Sequence, residues 1–192
     1  MLATMGAQNP EQRITQPAES LRRLEEAVPT LTALRRTRPA VIDWARAESA
    51  LGTPLPGDYK LLAEAYPSFA SSGGYLRVGL PAPGDGQPLP DTEELLDIVR
   101  DWWEEDMSMG LPPHPAPGGL LPWADSEQGD LFLWSTTGDA PDDWPVVVAP
   151  RDHPWWQYAG GAVQFLADLA DGTLAPWGLI DVHDDGVTAL AP

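Results

Sequence analysis

Residues Gln128–Pro150 read QGDLFLWSTTGDAPDDWPVVVAP. Two dense apolar runs, each with a tryptophan, flank a loop that holds Asp139, Asp142 and Asp143. Successive side chains of a strand point to opposite faces, so Phe132 and Trp134 share one face and Leu131 and Leu133 the other. A strand apolar on both faces needs cover on both sides. Gly129–Ser135 and Trp144–Ala149 are therefore expected in a sheet's interior, covered by helices or neighbouring loops. The aspartates sit among Thr137, Gly138 and Pro141, turn formers that favour exposure. A catalytic carboxylate pair needs one member desolvated and raised in pKa. These three read instead as a wet hairpin connection that supplies surface charge.

Working outward, Leu120–Ala124 and Tyr75–Leu80 have strand composition, and Trp155–Tyr158 suggests a further short strand. Helical spacing of apolar residues predicts helices over Ser20–Val28, Pro39–Leu51, a third opened by Pro56-Gly57-Asp58 and stopped by Pro67, and Gly161–Asp171. Asp91 is expected to cap a long helix reaching about Met107, with Glu94 completing a capping box. Residues 81–90 and 108–119 are loops dense in Pro and Gly. Helices come early, strands in the middle, and then another helix. This order argues an α+β fold with a mixed, largely antiparallel central sheet flanked by helices. We expect a disordered arm over residues 1–17, one domain over 18–172, and an extension over 173–192 that folds as a small hairpin.

The chain has 192 residues, is 43% hydrophobic and holds no cysteine, which excludes disulfides, thiol catalysis and cysteine-ligated zinc. No basic start leading into an apolar run marks a secretory signal, and no run of roughly 18 apolar residues marks a membrane span. The reading is a cytoplasmic protein. Its net charge is −18. Residues 1–52 are nearly neutral, with seven arginines against six acids, while residues 53–192 set four cations against 23 acids. Such a field repels nucleic acid and anionic membranes and steers a basic partner.

The strong chemical motifs are missing. No phosphate loop, no GxSxG elbow and no HExxH helix occurs, and no cofactor or metal is expected. His114, His153 and His183 are far apart and read as exposed loop residues. Asp181–Gly186 resembles the start of a calcium loop, but His183 holds the third position and Pro192 the twelfth, where a bidentate glutamate is needed. The run Glu104-Glu105-Asp106 ends a helix, where its charge opposes the macrodipole. Nine tryptophans are present. Trp44, Trp102, Trp134 and Trp144 fall on core faces. The pairs Trp102-Trp103 and Trp155-Trp156 cannot both face inward on a regular element. Either one of each pair, Trp103 and Trp156, is an exposed anchor for a partner, or a wide core covers both.

The run Ile42–Tyr59 carries Glu48, Leu51-Gly52, Leu55-Pro56 and Tyr59, and leads into a helix and the turn Ser72-Gly73-Gly74. This run resembles the opening signature of the SUKH superfamily, typified by the yeast cell-wall assembly regulator. Leu121-Pro122-Trp123 and then Gly129-Asp130-Leu131-Phe132-Leu133-Trp134 look like the family's central strands, and Ala162–Leu169 like its closing helix. The likeness spans roughly residues 38–172. The Pro-rich loops and residues 173–192 depart from the pattern. The resemblance implies an α+β sandwich without catalysis. Bacterial members of the family typically act as immunity proteins that neutralise a toxin, often a nuclease.

Two functions are expected on these grounds. The first is an immunity-type protein that occludes a basic, nuclease-like toxin domain with an acidic surface. The second is a non-enzymatic regulatory scaffold for a cellular partner unrelated to toxins. A third, an acid-dependent hydrolase, needs carboxylates gathered in a pocket with a metal. Candidate partner-binding residues are Glu104, Glu105, Asp106, Asp139, Asp142, Asp143, Trp103 and Trp156. Candidate structural residues are Glu48, Gly52, Pro56, Tyr59, Gly129, Asp130 and Trp134. Glu48 is expected to reach free backbone N–H groups near Leu55–Asp58 and tie one helix to the start of the next.

Overall fold

A computed structural model describes residues 5–84, 89–182 and 184–191. In chain order the elements are β1 (Gly6–Gln8), α1 (Pro17–Ala27), α2 (Trp44–Leu51), α3 (Gly57–Ala65), β2 (Phe69–Ser71) and β3 (Leu76–Val78). Then come α4 (Thr92–Glu104), β4 (Leu120–Ser126), β5 (Leu131–Ser135), β6 (Val146–Ala149), β7 (Trp156–Tyr158), α5 (Ala162–Ala170) and β8 (Thr188–Ala189). The strands form one mixed sheet in the order β1-β7-β6-β5-β4-β3-β2-β8. Only β1 on β7 is parallel among the described ladders. The fold is α+β, with a largely antiparallel sheet between helices.

The opening stretch sits at the centre. Every residue of β5 is buried, and its alternation divides two cores. Phe132 and Trp134 join the larger one with α1, α3 and α5, while Leu131 and Leu133 join a smaller one beneath α4 and Leu111. A central strand tolerates proline poorly, because the ring removes a ladder donor. Pro122 is accommodated by a register shift between Pro122 and Ala124, a bulge that lets Leu121, Trp123 and Ala124 all serve the larger core. Gly129 closes the turn from β4 to β5 at φ +90°, backbone that a side chain would strain. Beside it Asp130 is buried and accepts from the Ser126 hydroxyl at 2.6 Å, the Arg151 N–H at 2.9 Å and the Tyr75 hydroxyl. Burial, then this bond to Asp130, push the Tyr75 hydroxyl pKa above its ordinary value.

Several elements differ from expectation. Pro39 does not open a helix. Asp43 caps α2 instead, accepting from Arg46 N–H at 3.1 Å, and Val41 stays 89% exposed. No capping box forms at α4. Asp91 has φ +56° and makes no side-chain cap bond, while the Thr92 hydroxyl donates to the Leu89 carbonyl at 2.9 Å.

Residues 5–17 are not a free arm; residues 1–4 lie outside the described residues. The β1 segment pairs with β7, and Gln164 clamps residues 12–14 just beyond it. Its side chain accepts from Ile14 N–H and donates to the Gln12 carbonyl, each at 2.8 Å. Nor does the extension fold on itself as a hairpin. It crosses the molecule as a strap. Ala175 accepts from Gln8 at the β1 edge, Val182 is buried, and β8 pairs antiparallel with β2 at the far edge.

Candidate functional site

The residues of the family-like run build a helix junction. Gly52, at φ +74°, ends α2, and Pro56 immediately precedes α3. The Glu48 carboxylate accepts from Leu55 N–H and from the Lys60 ammonium, each at 2.9 Å. Tyr59 is fully buried, sets its ring edge-on to Trp134 at 5.0 Å and donates its hydroxyl to the Gly79 carbonyl. Burial raises the Tyr59 pKa. Burial also pushes Glu48 up, but Leu55 N–H and Lys60 outweigh it and hold the carboxyl below the ordinary glutamate value. A depressed folded-state pKa stabilises above the unfolded value of about 4.3, and that contribution is lost as pH falls through the folded value. Glu48→Gln is therefore expected to lose about 1 kcal/mol near neutrality. Urea unfolding should show the gap to the parent protein constant above about pH 5 and closing as pH falls below the unfolded value of about 4.3. A gap that stays constant with pH would remove Glu48 from this role.

The acidic candidates divide between two places. Glu104, Glu105 and Asp106 are exposed at the C-terminal end of α4, on the face that covers the smaller core. That end lies near the start of β7, since Trp102 meets Trp155 edge-to-face at 5.2 Å. Asp139, Asp142 and Asp143 are exposed in the connection that enters β6. Val146 pairs with Tyr158 and Val148 with Trp156, so this connection lies at the opposite end of the strands. It also lies on the opposite face, because the Asp142 carboxylate accepts from Gly57 N–H at 2.6 Å and so caps α3. Arg13 donates to the Asp142 carbonyl at 2.6 Å and to the Ala159 carbonyl at 2.7 Å. The sheet thus separates the two clusters, and Asp142 is committed to the fold.

The tryptophan pairs also divide. Trp103 is 44% exposed, but Trp156 is 1% exposed and is no anchor. Its place in β7 turns it toward the larger core, where it meets Phe165 and donates its indole N–H to the Trp177 carbonyl at 2.8 Å. Trp155, just outside the strand, is the half-buried member.

His114 is buried rather than exposed, with Nε2 2.8 Å from the Leu51 carbonyl; His153 is exposed. His183 and Pro192 of the calcium-like run lie outside the described residues. Asp184 of that run bonds Thr30, and Asp185 accepts from Gly73 N–H at 3.1 Å. Among the described residues no three His, Cys, Asp or Glu side chains are grouped to hold a metal ion, and no helix is long and apolar enough to cross a membrane. The cleft where Val182 meets α1 and α5 is apolar, lined by Leu24, Val28, Leu31, Phe69 and Leu166.

Two buried carboxylates give no clear sign of their roles in the sequence. Asp58 is buried at the start of α3 and accepts from Tyr59 N–H at 2.7 Å and Val163 N–H at 3.1 Å, joining α3 to the N-terminus of α5. Burial lifts its pKa, and the Asp142 charge adds to the lift. Asp168, also buried, is held by Arg23 through Nε at 2.9 Å and Nη2 at 2.8 Å. The only sequence signal for either is a carboxylate on an otherwise apolar helix face.

Comparison with protein-family models, with curated proteins and with solved structures finds no match for this chain.

Proposed function

We propose that this is a cytoplasmic, SUKH-like immunity protein. It occludes a basic, nuclease-like toxin domain through an acidic surface and has no catalytic step of its own. The observation that carries the reading is a surplus of carboxylates that the protein does not neutralise itself. Six of its cations, Arg22, Arg23, Arg35, Lys60, Arg77 and Arg100, are already spent on acids. The segment Asp91–Asp106 nonetheless exposes eight carboxylates against Arg100 alone. A nuclease carries a basic surface for its phosphate substrate, and such a surface is complementary to this one.

Co-expression with a toxin domain encoded beside this protein tests the reading. Cells should survive the toxin, and the purified complex should associate more slowly as salt rises. Toxin-killed cells despite full expression would end it. Capture of a non-toxin cellular protein in the same cells would favour the regulatory-scaffold reading instead.

A further inference from the structure

The two acidic clusters cannot serve one flat interface, since they lie at opposite ends and on opposite faces of the sheet. We propose that the docking surface is the outer face and C-terminal end of α4, anchored by Trp103 and Met107, and that its occupant is a protein surface bearing arginine or lysine. This deepens the proposed toxin-binding function, on which it rests, by naming the face and its anchors.

Helical spacing aligns Glu93, Asp97, Asp101 and Glu104 in one stripe, and all four are exposed. Arg100, the cation within that stripe, is paired with Asp97. Arg151, close in sequence to Trp155, turns its Nη1 toward the Gln128 carbonyl at 3.4 Å. At the end of this stripe stand Trp103, 44% exposed, and Met107, 49% exposed. An indole beside uncompensated carboxylates receives a cation in two ways, over its ring face and through the acids at its rim.

The helix end is built to display these groups. Asp106 N–H donates to the Trp103 carbonyl at 3.2 Å and Met107 N–H to the Trp102 carbonyl at 2.7 Å. Asp106 takes φ +60°, in the position where such helix ends usually hold glycine. The protein thus places a third carboxylate where neither the macrodipole nor the backbone favours one.

Of the other exposed apolar residues, Val41 lies in the arginine-rich segment after Arg35, Arg36 and Arg38, Trp177 packs its ring against Trp156 at 5.9 Å, and Ile180 has one acid, Asp181, next to it in sequence rather than a stripe. A second copy of the chain is a poor occupant, because a two-fold contact would set the acidic stripe against itself.

The test titrates the full chain with a deca-arginine peptide, read by proton–nitrogen NMR. The Trp103 indole and the amides of Glu104–Met107 should move first and furthest. Trp103→Ala should weaken peptide binding by roughly tenfold. Glu104→Gln/Glu105→Gln/Asp106→Gly should weaken it comparably at low salt while melting no lower than the parent protein, because glycine suits the backbone at 106. Shifts centred on Asp139–Asp143 or on Trp177–Asp181 overturn the proposal. So does an equal loss from Asp139→Asn/Asp143→Asn.

The same triple variant separates this proposal from the function it rests on. If the parent chain protects cells and the variant protects equally, the face is wrong and the function stands. If peptide binding maps to α4 while the parent chain gives no protection, the function falls and the face stands.

Discussion

Trp134→Ala is expected to lower the free energy of unfolding by about 3–5 kcal/mol, the range for emptying an aromatic site in a close-packed core. Trp134, near the end of β5, is fully buried. It meets Tyr59 edge-on at 5.0 Å, stacks on Trp123 at 5.7 Å and lies 6.3 Å from Trp144. Those rings come from α3, from β4 and from the approach to β6, so none can move in to fill the space without dragging a separate element. With a typical domain stable by about 5–15 kcal/mol, the loss removes a large share of the total. Trp134→Phe should cost much less, about 1–2 kcal/mol, because the indole N–H it deletes has no partner. Urea unfolding monitored by circular dichroism separates the two. Equal losses for both variants would contradict this picture of the core.

The second large effect is expected at Arg23→Met, about 3 kcal/mol, because it strands a buried carboxylate. Asp168 is 3% exposed; its Oδ1 accepts from both Nε and Nη2 of Arg23, and its Oδ2 accepts from the Tyr158 hydroxyl. Asp171 accepts from the same guanidinium at 2.9 Å but lies outside the core. Breaking such a site from one side costs more than removing it whole. The combined change Arg23→Met/Asp168→Leu/Tyr158→Phe should therefore recover most of the stability lost by Arg23→Met alone. If the combined variant is less stable than the single one, the ion pair is a net source of stability and desolvation is not the dominant cost here.

How much was legible depended on how far each feature reaches along the chain. The two-sided apolar pattern of β5 and the helical stripes of α1, α3, α4 and α5 are local, so periodicity revealed them. By contrast β1 and β8 are three and two residues long and form only because a distant strand waits for them, while β2, also three residues, is too short to show a period although its partner β3 is close in sequence. Nothing in GAQ or TA alternates. The acidic candidates were visible as residues, but their grouping was not. The pairing of Val146 with Tyr158 puts one cluster at the far end of the sheet, and the sequence does not state that register. The capping of α3 by Asp142 joins positions 85 residues apart, which no local pattern encodes. Trp156 is no exposed anchor because β7 is covered on both sides: alternation turns Trp156 into the larger core and Trp155 onto the smaller one, against Trp102.

The strap that ends in β8 bears on how molecules of this protein meet one another. A sheet edge offers unpaired N–H and C=O groups to any passing chain, and long apolar edges seed aggregation. Here one margin is the three-residue β1 and the other is the two-residue β8, both too short to template much pairing. Under β8 lies β2, whose residues Phe69–Ser71 are all buried. Peeling the strap away would bare an apolar rim of hydrogen-bonding groups. The two residues Thr188 and Ala189 thus act as a selvedge: paired with Ala70 and Phe69, they cover that rim and leave only a two-residue margin open to another chain.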